Sequence, residues 1–180
     1  MERSQQSVVG FEREMLPHLD AAYNLARWLV RDEQLAQDIV QDAFVRALRF
    51  FGTHRADSGR AWLLAIVRNV ALTQMRAQRR DGQLAGFDES VHAVDRSPLP
   101  EASMILKAEE QLLHDSIEAL PVELREAIVL RELEQMDYKQ IAHVCGCPIG
   151  TVMSRLSRAR RQLALAIERA EEIPEVPYDL

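Results

Sequence analysis

Cysteine is scarce in this chain: of 180 residues, only Cys145 and Cys147 carry a thiol. Two thiols one residue apart cannot staple a fold, which excludes a disulfide scaffold and suits a reducing compartment. Long apolar runs are missing as well. No stretch approaches the length of a membrane span, and the polar residues 1–10 lack the apolar segment of a secretion signal. The expectation is a cytoplasmic protein with no membrane insertion. A third absence is the strand pattern, since nowhere do apolar and polar residues alternate between turn residues. Catalytic equipment is the fourth. There is no glycine loop to cradle a phosphate, no His–Glu metal pair and no activated nucleophile, so we expect no enzyme, no cofactor and no metal.

What remains is helix. Apolar residues make up 47% of the chain and are spread along it, so one core or two small ones can form. Residues 11–30 carry Leu19, Ala22, Tyr23, Ala26, Leu29 and Val30, with Pro17 marking a start or a bend. Residues 34–51 carry Ala36, Ile39, Val40, Ala43, Phe44, Ala47 and Phe51 at helical period. The polar stretch 52–59 is a loop, and 60–80 is a long helix burying Leu63, Ile66, Val67, Val70 and Gln74 or Met75. Periodicity then disappears. Residues 81–103 hold two prolines, Pro98 and Pro100, and five acids, a composition that cannot bury enough to order itself. Helices resume at 104–120 and after Pro121. The organisation expected is all-α: a helical domain over 1–80, a flexible acidic linker over 81–103, a second helical domain over 104–170 and a frayed tail over 171–180.

Charge is segregated along this plan. The net charge is −6, yet 68–80 holds Arg68, Arg76, Arg79 and Arg80 with no acid, and 148–165 holds Arg155, Arg158, Arg160 and Arg161 with no acid. Acids cluster elsewhere, at Asp32, Glu33, Asp38 and Asp42, in the linker, and at the C-terminal end. An ordinary solvated face mixes signs. This distribution predicts two polyanion-binding helices and a weak approach to free nucleic acid, because the whole-molecule field opposes it.

The second cationic stretch has a recognisable setting. Asp137 can cap a short helix through Ile141 and Ala142, Gly146 supplies a turn, and Cys147 and Pro148 open a second helix at cap and first position. That is a helix-turn-helix. In the second helix Ile149, Val152, Leu156, Leu163 and Ile167 form a buried stripe, leaving Thr151, Ser154, Arg155, Arg158 and Arg161 on the other side. Hydroxyls and guanidinium groups on one exposed face suit base edges and phosphates. His143, Cys145 and Cys147 alternate as metal ligands can, but no fourth ligand is near and a helix–turn junction splays them. Cys145 reads as core.

Residues 146–160 resemble the C-terminal signature of bacterial RNA polymerase sigma factors of the extracytoplasmic-function group. Asp38-Ile39-Val40-Gln41-Asp42-Ala43-Phe44 with Arg46-Ala47-Leu48 resembles the N-terminal signature that binds core polymerase, and Trp62-Leu63 through Arg68-Asn69 resembles the promoter-melting helix. The resemblance spans 11–80 and 104–167. It implies a promoter-specificity subunit with core RNA polymerase and promoter DNA as partners, commonly held by an anti-sigma factor. By the same resemblance, Asp38, Gln41 and Asp42 dock on the polymerase. Asn69, Thr73, Arg76 and Arg80 share a face suited to the single strand of the −10 element, and the loop residues His54, Arg55, Asp57 and Ser58 suit capture of a flipped base. Thr151, Met153, Ser154, Arg155, Ser157, Arg158 and Arg161 would engage the −35 element as duplex. Family members often carry a basic residue at the place of Met153 and an aromatic one at Ser157, a departure that bears on promoter sequence. Arg155 and Arg158 are expected to matter most, since a bidentate arginine–guanine pair contributes about 1–3 kcal/mol of discrimination. Two other readings compete: a helix-turn-helix regulator of the response-regulator type, and a sigma-mimicking adaptor that binds only protein.

Overall fold

Pro17 marks a bend between two helices. The computed structural model describes residues 2–53, 58–80, 82 and 101–171, and among them every regular element is helical. α1 (Glu2–Met15) stops at a 3-10 turn over Leu16–His18, and α2 (Leu19–Val30) departs from it. Proline offers no amide and disfavours helical backbone before it, so the stretch over 11–30 bends at Pro17, one of the two outcomes expected there. Arg31 then turns the chain at φ 57°, and the Asp32 carboxylate accepts the Leu35 amide at 2.7 Å to start α3 (Glu33–Phe50). Ser58 starts α4 (Gly59–Arg80) in the same manner, its Oγ accepting the Ala61 amide at 3.3 Å.

α2, α3 and α4 pack on one another. Their contact surfaces are paved with Ala22, Ala26, Ala36, Ala43, Ala47, Ala61 and Ala71, which let the helices approach around Leu25, Leu29, Ile39, Leu63, Leu64 and Val67. Phe11 of α1 closes one end, edge-on to Phe44 and Phe51 at 6.1 and 5.4 Å.

The helix expected from Met104 begins at Glu101. Residues 83–100, most of the expected linker, and the tail over 172–180 lie outside the described residues. α5 (Glu101–Ala119) and α6 (Val122–Ile128) meet at Pro121, whose carbonyl accepts the amides of Leu124 and Arg125 at 2.9 Å. α6 then widens into a π turn over Val129–Leu133, closed by the Glu134 amide on the Val129 carbonyl at 3.0 Å. Gln135 follows at φ 53°. α7 (Tyr138–Cys145) and α8 (Ile149–Glu171) complete the domain, with α8 packed by α5, α6 and α7.

The two domains are closed on each other. α4 lies along α7, α2 lies against α6 and the π turn, and the buried residues of both halves form one continuous core. Trp28 of α2 meets the His114 ring of α5 at 4.7 Å. Among the described residues no helix is long and apolar enough to cross a membrane.

Candidate nucleic-acid interface

The turn between α7 and α8 is built from local chemistry. Asp137 accepts the Gln140 amide at 2.7 Å, and the Gln140 side chain accepts the Asp137 amide at 3.1 Å, a reciprocal capping box. At the other end Gly146 sits at φ 61°, ψ 39°. Its amide donates to His143 and the Cys147 amide reaches back to Ala142 at 3.1 Å, which satisfies the last carbonyls of α7. A side chain in this backbone region is unfavourable, so Gly146→Ala should cost about 1–2 kcal/mol, read as a lower urea midpoint with unchanged slope. Pro148, not Cys147, caps α8: its carbonyl accepts the Thr151 and Val152 amides at 2.9 and 3.2 Å. Cys147 is occupied in closing α7, so the cap falls one residue later than expected.

On α8 Val152, Leu156 and Ala159 are buried, whereas Ile149, expected in the stripe, is 45% exposed at the first turn, before the helix reaches its neighbours. Met153, Ser154, Ser157, Arg158 and Arg161 are exposed, and Thr151 is half-buried. Ser154 Oγ donates to the Thr151 carbonyl at 2.9 Å. Arg158 Nε donates to the Ser154 carbonyl at 3.4 Å. Arg155 departs from this face. Three residues beyond Val152, it flanks the buried stripe, and its Nη1 donates to Glu126 Oε1 at 2.8 Å and approaches Cys147 Sγ at 4.0 Å. Arg160 is exposed and pairs with Glu132 at 2.7 Å.

α4 presents Asn69, Thr73, Arg76 and Arg80 to solvent, Thr73 donating to the Asn69 carbonyl at 2.8 Å. Ser58 is engaged as the cap of α4, while His54, Arg55 and Asp57 lie outside the described residues. Arg68 points away from this face: its Nε and Nη2 donate to the two oxygens of Glu126 at 2.6 and 3.0 Å. Burial works against its charge, and the Glu126 carboxylate outweighs it, so its pKa is raised.

On α3 Asp38 and Gln41 are exposed, and Asp42 is half-buried beside Arg46 at 2.8 Å. The same face carries Val45 and Leu48, 50% and 42% exposed. Leu48 belongs to the motif quoted for this helix, whereas Val45 was not singled out, and neither was read as an exposed apolar contact. The signal was available, since neither falls in phase with the buried Ala36, Ile39, Val40, Ala43 and Ala47.

Cys145 is buried, and burial together with Glu126 pushes its thiol up, whereas His143 is exposed. The two side chains do not converge, and no group of three potential metal ligands occurs among the described residues.

Comparison with known proteins adds independent findings. The family model for sigma-70 region 2 matches residues 15–81, and the one for sigma-70 region 4 matches residues 110–163. The RNA polymerase sigma-H factor of Pseudomonas aeruginosa is 39% identical over 147 residues, 77% of this chain and 76% of that one. The ECF RNA polymerase sigma-E factor of Escherichia coli K12 is 38% identical over 134 residues, 70% of each. Among solved structures, the sigma factor RpoE in complex with the anti-sigma factor NepR from Bartonella quintana superposes with a TM-score of 0.71. That match has 32% identity and covers 88% of this chain and 97% of RpoE.

Proposed function

Because this chain belongs to the extracytoplasmic-function group of RNA polymerase sigma factors, we propose a residue-level division of its labour in promoter-specific initiation. The factor is not an enzyme: it binds core polymerase and selects the start, and bond formation belongs to the polymerase. The domain over 1–80 docks on core through Asp38, Gln41 and Asp42, with Val45 and Leu48 as the apolar centre of the same face. Asn69, Thr73, Arg76 and Arg80 take the single strand of the −10 element, fed by a base-capturing loop of His54, Arg55, Asp57 and Ser58. The domain over 104–170 reads the −35 duplex with Thr151, Met153, Ser154, Ser157 and Arg158, and Arg161 grips a phosphate. Arg155 joins from the flank: with Nη1 committed to Glu126, Nε and Nη2 are left for the DNA backbone. The segment 81–103 tethers the two.

One observation carries this reading. An acid-free, arginine-bearing helix face follows a closed helix-turn-helix, and a second such helix stands in the other domain. The response-regulator alternative needs a strand-bearing receiver, and no strand occurs among the described residues. A protein-binding mimic would not need the exposed Arg158 and Arg161. The site of action is the cytoplasm, where polymerase and promoter are. Control by an anti-sigma factor follows from the similarity to RpoE, which was solved with one bound.

The test is reconstitution. Core polymerase lacking a sigma factor, supplied with this protein and a genomic promoter library, is expected to initiate at a small set of sites sharing two upstream elements. Random starts, or none, would overturn the assignment.

A further inference from the structure

Arg125, Glu126 and Glu134 are buried charged residues at the seam between the two domains, 3%, 1% and 5% exposed. The two carboxylates are matched: Glu126 lies between Arg68 and Arg155, and Glu134 faces Arg60. Arg125 is not. Its Nη1 donates to the Glu118 and Leu120 carbonyls and its Nη2 to the Leu29 carbonyl at 3.3 Å. Its Nε is buried and has no partner. Carbonyl oxygens satisfy N–H groups but bring no net charge to set against a guanidinium. Burial, and after it the neighbouring Arg31, lower the Arg125 pKa to about 10, against a smaller opposing pull from Glu118. The Glu118 carboxylate itself stands 3.9 Å from His114.

This uncompensated charge borders a cavity of about 370 Å³ whose lining holds no acid. Arg31 and Arg79 of the first domain join Arg125 of the second there, with Gln78 beside Arg79. Arg31 gives one N–H to the Glu118 carbonyl and keeps the others. Arg79 is exposed and is held by no described residue. Much of the remaining wall is apolar, including Val30, Met75, Pro121 and Val122. Packing alone does not call for three cations in one place, since they repel and Arg125 gives up its hydration. A mobile anion would offset both costs, as Glu126 does permanently for Arg68 and Arg155. Arginine forks match phosphoryl oxygens in pairs. The volume lies within the range of small-molecule sites, about 300–1,000 Å³, which likewise set a few polar groups in an apolar wall.

We propose that this cavity binds a small organic phosphate, with a nucleoside diphosphate as the class that fits it. The phosphoryl oxygens take Arg31 and Arg79, with the charge of Arg125 behind them. A diphosphate brings roughly three negative charges near neutral pH, set against the three guanidinium groups. A flat ring lies against Met75, Pro121 and Val122, and Gln78 offers both a donor and an acceptor, as the edge of a base does. None of the lining residues belongs to the groups assigned above to DNA or core polymerase.

Calorimetric titration of the full wild-type chain with pyrophosphate and with ADP, at matched ionic strength, tests the site. Each ligand should bind once per chain, and ADP about fivefold tighter or more, because its ring covers apolar wall. Both should raise the melting temperature increasingly with concentration. Arg31→Gln/Arg79→Gln replaces two residues that are not buried. It should weaken both ligands about tenfold or more at unchanged helical content by circular dichroism. Arg160→Gln, at an exposed arginine outside the lining, should leave both affinities within about twofold. No saturable binding of either ligand at millimolar concentration, or equal binding by the double variant and wild type, overturns the site. Pyrophosphate binding with ADP no tighter overturns the nucleoside assignment. Displacement of ADP by a short oligothymidylate at equal concentration would give the cavity to a nucleic-acid strand instead. These readouts use neither promoter nor polymerase, so their failure is distinct from failure of the initiation assignment.

Discussion

Glu126→Ala should destabilise the protein by about 3 kcal/mol, because it empties a buried site toward which two arginines point. The side chain has no exposed surface and receives three charge-assisted hydrogen bonds, at 2.6, 3.0 and 2.8 Å, from Arg68 and Arg155. Removing it leaves both cations in a site from which water is largely excluded. Their side chains are 14% and 17% exposed. Partial relief comes as the two arginine side chains, both near the surface, turn toward solvent, which holds the loss to the lower part of the range for broken buried pairs. Glu132→Ala is the contrast. It breaks a pair with Arg160 that is half exposed on both sides, and the expected change is within about 0.5 kcal/mol. Urea unfolding followed by helical circular dichroism reads both variants. Equal costs would mean that Glu126 does not organise the seam. Replacing Glu126, Arg68 and Arg155 together by leucine or methionine should recover most of the loss, since a hydrophobic isostere of a buried ion triad is often as stable as the triad.

The contrast between these carboxylates shows what was legible in the sequence. Glu126 and Glu132 lie in one run of helical residues and look alike in composition, and only the packing of a distant helix makes one buried and the other solvated. Arg68 and Arg155 were equally ambiguous. Both stand in acid-free stretches that announced cationic faces, yet each points inward to a partner on another helix, 58 and 29 residues away. Local signals fared better. Asp137, Gln140 and Gly146 specify the turn between α7 and α8 through bonds that span a few residues, and the structure forms them. Helical periodicity placed Leu63, Val67 and Val70 inside and left Asn69, Thr73, Arg76 and Arg80 outside, as found. The π turn had no such signature. Val129–Leu133 reads as an ordinary continuation of α6, and its extra residue sets Glu134 where Arg60 can reach it, a tertiary gain. Family resemblance carried the assignment of α3, because an acidic stripe alone is as consistent with a solvated surface.

Asp38→Lys/Asp42→Lys should weaken binding to core polymerase by about 2–4 kcal/mol, or about 30- to 1,000-fold, if α3 docks on a basic surface. The fold should tolerate the change. Asp38 is exposed, and the Asp42–Arg46 pair is exposed enough, 38% and 48%, to contribute little to stability. The second substitution sets a lysine one turn from Arg46, a like-charge pair that costs a few tenths of a kcal/mol. The loss in core binding should be steepest at low salt and shrink as ionic strength rises, because rim charges act mainly on encounter and are screened. Val45 and Leu48 follow these acids along α3 and are available for apolar contact, so a residual salt-insensitive affinity should survive the reversal. The −35 duplex affinity of the same full-length variant should not fall, because α3 contributes nothing to the face of α8. Lysines added to the first domain can only raise nonspecific attraction to DNA, and a mixed-sequence duplex measures that contribution separately. Core affinity within twofold of wild type at low salt would remove α3 as the docking surface. A parallel loss of duplex affinity would show instead that the two domains do not divide the work.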